Sequence, residues 1–196
     1  MKRGFTLMEL LVVIAIATIL AAIILPILAR AKATAKDSAS LSQLRQIGMA
    51  EFIYCSDHND TVPYVGHPEI IARLRLGLLD IRDWPGYEGQ VTIFEALDPY
   101  TKSRSVWKSP ADPGELPYVP PLIESMDVSY GGLPHAFCIG PLTALGNPSE
   151  SALLRELVPF RRGKAYIFRA DGSAKLLPWL VGADQIQATQ TAFGCD

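Results

Sequence analysis

The chain has 196 residues and a net charge of −2, with 49% hydrophobic and 19% charged side chains. A nearly neutral chain of this kind offers no electrostatic case for nucleic-acid binding. Three cysteines, Cys55, Cys138 and Cys195, show no Cys-x-x-Cys spacing, which argues against a structural zinc site.

The first thirty residues, Met1–Arg30, organise the rest. Lys2 and Arg3 precede Gly4, Phe5 and one carboxylate at Glu9, and an apolar run from Leu10 to Ala29 follows with Thr18 as its one polar side chain. At 1.5 Å per residue such a run spans about 30 Å, the hydrocarbon thickness of a bilayer. A charge at the edge of that run costs roughly 2.5–3.5 kcal/mol if drawn to mid-membrane, so Glu9 requires a purpose. A cleaved secretory signal has an apolar core of only about 7–15 residues before a small-x-small site, which this run exceeds. An ordinary signal anchor explains the length and the basic flank but leaves Gly4 to Glu9 unexplained.

From Ala31 the helix is expected to continue. Ala31–Lys36 is rich in helix formers, and Leu41, Leu44, Ile47, Ala50 and Ile53 or Tyr54 recur every three or four residues. The reading is one helix from about Thr6 to Tyr54, with Gly48 a tolerated weak point inside it. The run from Cys55 to Asp60 ends it with turn formers. Asp57, Asn59 and Asp60 bring three oxygen ligands close together and could hold Ca²⁺. The loop falls short of an EF-hand pattern, so a solvated turn closing the helix is preferred and no metal is assigned.

The middle of the chain is dense in Pro and Gly. His67–Asp80 can make a short helix, and Val91–Leu97 reads as a strand or the start of another short helix. Short β-rich runs return at Asp127–Tyr130, Ala136–Ile139, Ala152–Val158 and Ala165–Arg169. Lys164–Arg169, then Ala170-Asp171-Gly172, then Ser173–Leu177 is a hairpin signal, because Gly supplies the positive φ of a tight turn. The tail from Trp179 to Asp196 reads as a last short helix or a frayed end. His58, His67 and His135 lie far apart in loop-like sequence. With no Gly-x-Ser-x-Gly, P-loop or dinucleotide fingerprint, no catalytic residue and no cofactor is assigned.

The stretch from Lys2 to Leu10, KRGFTLMEL, resembles the leader of type IV pilins and type II secretion pseudopilins. That resemblance implies residues 1–4 as a prepilin leader, cleavage between Gly4 and Phe5 by prepilin peptidase, and N-methylation of Phe5. It implies residues 5–30 as the retained transmembrane and assembly helix, with Pro26 where pilin helices commonly kink, and residues 31–196 as the extracytoplasmic head. Cleavage exposes an amine at Phe5 that Glu9 of a neighbouring subunit could pair with. At close range in low dielectric such a pair attracts by several kcal/mol and fixes axial register. Further similarity to a pseudopilin-like family runs through Ser40–Ala50, Asp57–Pro63, Leu97–Lys102, Lys108–Asp112, Ser129–Gly131 and Arg161–Gly172. It departs at Arg161, where the family has His, and at Ser40 and Ser109, where it usually has Cys.

The expected fold is therefore α+β and pilin-like: one long amino-terminal helix on a small antiparallel sheet, with loop-rich insertions. The resemblance implies a structural subunit of a type IV pilus-like filament or type II secretion pseudopilus. The chain would sit in the cytoplasmic membrane, amino terminus inside, with other pilin or pseudopilin subunits as partners. The alternative is a membrane-tethered extracytoplasmic ligand-binding protein that uses the same anchor. In an oxidising compartment Cys55 and Cys138 could pair, although the sequence does not choose among the three cysteines.

Overall fold

A computed structural model describes residues 7–63, 65, 91–112, 129–132, 140–157 and 163–192. The first element, α1, is one helix from Leu7 to Asp57. It runs through Pro26, which supplies no N–H to the carbonyl one turn earlier. The chain divides into two compact units, Met1–Ser38 and Ala39–Asp196.

In the first unit the described part of α1 is exposed apart from a half-buried Asp37. The apolar run is long enough and apolar enough to cross a membrane, and none of it is buried. Its lone hydroxyl is satisfied internally, since Thr18 Oγ1 donates to the Ile14 carbonyl at 2.7 Å. Such back-bonding removes the need for an outside partner in an apolar medium.

The second unit is built in layers. Strands β1 (Tyr130–Gly132), β2 (Ala152–Glu156), β3 (Lys164–Arg169) and β4 (Ala174–Pro178) form an antiparallel sheet in sequence order. The α+β, pilin-like layout expected from the sequence is the observed one. On β3, Phe168 packs against the Ala39–Asp57 part of α1, with the Phe52 and Phe168 rings 5.4 Å apart. Ile167, the residue before it, points to the opposite face, where a last helix, α3 (Trp179–Ala192), covers the sheet. Both helices come close because a glycine sits at the contact. A Cβ on Gly48 would overlap the Phe168 ring, and one on Gly182 would overlap Ile167. Gly48 is thus a packing requirement in the helix, where the sequence suggested only a tolerated weakness.

The Asp171-Gly172 hairpin forms where expected, with Gly172 at φ +79 and the Ser173 N–H bonded to Asp171 Oδ1 at 2.8 Å. Val91–Leu97 resolves in favour of helix: α2 runs from Ile93 to Thr101. Thr92 and Glu95 make a reciprocal capping box at its start, and the local Thr-x-x-Glu spacing outweighs the β-rich composition of the segment. Trp107, in a 3₁₀ turn over Arg104–Trp107, is fully buried and meets Phe94 edge-on. Leu44, Ile47, Leu97, Trp107, Tyr130 and Phe168 form the centre of the core. The runs at His67–Asp80 and Ala136–Ile139 lie outside the described residues.

Candidate assembly helix and head surface

Gly4 and Phe5 lie outside the described residues. Glu9 stands in the first turn of α1 and is exposed, where a carboxylate also complements the positive end of the helix dipole. Pro26 is inside the same exposed, apolar stretch. The described helix therefore offers apolar side chains around its whole circumference, as expected of a segment solvated by lipid or by other helices. Fifteen large apolar side chains between Leu7 and Leu28 are exposed. Burying them is worth on the order of 20 kcal/mol, so the segment does not exist bare in water.

In the head, Ser40 and Ser109 meet. Their hydroxyls are 2.7 Å apart and both residues are buried. The contact extends through the Ser109 N–H to Ser129 Oγ at 2.9 Å, and from Ser129 Oγ to Asp112 Oδ2 at 2.7 Å. Lys108 closes on the same Asp112 oxygen at 3.2 Å. The Tyr130 hydroxyl, itself buried, donates to the Ser40 carbonyl at 3.1 Å. The two positions where the resembling family has Cys are thus joined by a hydrogen bond and a polar seam.

Cys55 carries a free, buried thiol, and burial with the nearby Glu51 pushes its pKa up to about 12. It is therefore a protonated, inert side chain at neutral pH. Cys138 and Cys195, and with them the expected Cys55–Cys138 pairing, lie outside the described residues. One turn before Cys55, Glu51 is 3% exposed, and among the described residues its Oε2 accepts no hydrogen bond. Burial pushes its pKa up to about 8, so it is held as a neutral acid at pH 7. No sequence pattern flagged it. Its place on the core stripe, one turn past Ile47 and one before Cys55, was the available signal.

The turn after α1 holds Asn59 and Asp60 at φ 55 and 63. Asp60 is engaged in joining segments: its Oδ2 accepts from the Thr143 N–H at 3.1 Å and its carbonyl from Leu142 N–H at 2.9 Å. Asp57 sits beside the Tyr100 hydroxyl, whose pKa burial and then that carboxylate raise. The oxygens of Asp57 and Asp60 thus turn to separate tasks, and among the described residues no group of three His, Cys, Asp or Glu could hold a metal ion. His58 is exposed and stacked on Tyr54 at 3.8 Å, its Nδ1 2.8 Å from the Tyr54 carbonyl. His67 and His135 lie outside the described residues.

One side of α1 carries exposed residues from Arg45 to Ile53. Met49 and Ile53, one turn apart, are 54% and 50% exposed and line an open groove with Arg45, Tyr100 and Val106. Ile53 was expected as an alternative core position to Tyr54. It lies on the opposite side of the helix from Leu44 and Ile47, whereas Tyr54 is partly buried against the core.

Residues 1–25 match the family model described as the prokaryotic N-terminal methylation motif. The match covers the leader, Phe5, Glu9 and most of the apolar run, and supports a prepilin-type chain. Neither a curated protein nor a solved structure matches the chain.

Proposed function

We propose that the protein is a structural, non-enzymatic subunit of a type IV pilus-like filament or type II secretion pseudopilus. The observation that carries this reading is the coincidence of two features. Residues 1–25 match a methylation motif, and the apolar stretch of α1 presents side chains on every side with none buried. The chain is inserted in the cytoplasmic membrane with its amino terminus inside and its head, residues 31–196, outside. Prepilin peptidase cuts between Gly4 and Phe5, and Phe5 is N-methylated. Residues 5–30, including Pro26, then form the surface that packs against other subunits once the helix leaves lipid. Glu9 pairs with the Phe5 amine of a neighbour, which replaces solvation of two charges by one ion pair and sets the axial stagger.

The test has two readouts on the full chain in its membrane. Mass spectrometry of the mature amino terminus should give a methylated Phe5; an intact Met1, or a start beyond Ala29, would overturn the reading. Glu9→Gln should be processed normally yet fail to enter sheared filament fractions. Unimpaired behaviour of Glu9→Gln in a chain that never polymerises would instead favour a tethered binding protein.

A further inference from the structure

Two exposed faces of the head carry apolar side chains and opposite charges. On α1, Met49 and Ile53 flank the groove, and Arg45 stands one turn before Met49, exposed and without an ion pair among the described residues. On α3, Leu180 is 76% and Val181 42% exposed. Asp184, one turn after Leu180, is exposed and likewise without an ion pair among the described residues. Arg45, Met49 and Ile53 follow one another at i and i+4, and on α3 Asp184 lies four residues after Leu180 and three after Val181. The groove lies beside α1 and α2, and α1 packs on the Phe168 side of the sheet, whereas α3 covers the Ile167 side. The two faces therefore cannot meet within one head.

We propose that a second copy of this chain occupies the groove: the outer face of α3 on one head seats against α1 of the next. Leu180 and Val181 lie on Met49 and Ile53, and Asp184 pairs with Arg45. The two surfaces are complementary: the groove carries Met49, Ile53 and the cation Arg45, and the α3 face carries Leu180, Val181 and the anion Asp184. The same chain supplies both. Because the two surfaces differ, the contact is heterologous and leaves a free groove at one end and a free α3 face at the other. It propagates as an open array and does not close into a two-fold dimer. The patch is small and its ion pair exposed, so a single contact is weak; it gains effect from repetition among copies confined to one membrane. The inference rests on the filament reading above and adds to it the head-to-head contact.

The test uses two differently tagged full-length chains in one membrane, both carrying Cys138→Ser and Cys195→Ser. One has Ile53→Cys and the other Leu180→Cys. Mild oxidation should join the two tags, while either variant alone gives no joined product. Arg45→Glu in the first chain should lower the yield about fivefold, the scale of one exposed charge pair, and Asp184→Arg in the second should restore it. A cysteine-free version reads the same charge swap by co-purification of the two tags, which covers the case in which the cysteine variants misfold. Four results would overturn the contact: a yield indifferent to charge, a 53–53 product as strong as the 53–180 product, a product joining position 53 to a different protein, or no product in membranes where Glu9-dependent assembly proceeds. In that last case the filament reading stands without this contact. A 53–180 product in a chain that is unprocessed and indifferent to Glu9 would keep the contact and remove the filament reading.

Discussion

The two halves of α1 share one secondary structure and have opposite surroundings. From Leu10 to Ala29 the side chains are apolar apart from Thr18 and exposed on all sides, with no preferred face. From Ala39 to Asp57 the helix is two-sided: Ser40, Leu44, Ile47, Gly48, Glu51 and Cys55 are buried, while Arg45, Met49 and Ile53 are exposed. Local backbone preference gives both halves the same hydrogen-bonded ladder. What separates them is composition: the first half carries an apolar run long enough to cross a membrane, while the second lays one face on a protein core.

The largest expected effect breaks the first half alone. Glu9→Gln should abolish filament incorporation while leaving the thermal unfolding of the head unchanged, checked by sheared-fraction blotting and circular dichroism of the full chain in detergent. In the second half the largest effect is electrostatic. Glu51 is neutral when buried and ionises ordinarily when unfolded, near 4.5 against about 8. Its contribution to stability is therefore fully present below about pH 4.5 and is lost as pH rises through about 8. Glu51→Gln should flatten that loss and stabilise the protein at pH 8 by several kcal/mol, measured by chemical denaturation across pH.

Ser40→Cys with Ser109→Cys should form a disulfide, since the two hydroxyl oxygens already touch at 2.7 Å. It should stabilise the oxidised head by about 2–4 kcal/mol relative to the same variant under reductant. Gly48→Val should cost about 3 kcal/mol because the new side chain meets the Phe168 ring, and Phe168→Leu should recover part of that loss. At the same depth in the first half, an apolar exchange such as Ile16→Leu should leave head stability untouched. The smallest effect is local: Thr92→Ala removes the capping box of α2 and should cost about 1 kcal/mol.

Much of the fold was legible in the chain because its signals are local. The extent of α1, the hairpin at Asp171-Gly172 and the β3 run of Lys164–Arg169 each follow from periodicity or turn chemistry within a few residues. Ile93, Phe94 and Leu97 suit strand or helix alike, and it is the Thr92–Glu95 capping spacing that decides α2. Ile53 reads as a core position because a helix face is wide and its centre is set by contacts outside the helix. Glu51 reads as solvated, as any carboxylate on a helix does until its neighbours are known.

By itself, the sequence determined that the chain begins with a prepilin-type segment and an apolar helix, and that a small antiparallel sheet follows. These depend on runs of adjacent residues and on spacings of two, three and four. Only the tertiary structure decided that Ser40 faces Ser109 across 69 positions, that Glu51 is buried, and that Gly48 and Gly182 admit helices to opposite sides of one strand. Those relations join segments far apart in the chain, and a contact of that kind leaves no pattern in the neighbourhood of either partner.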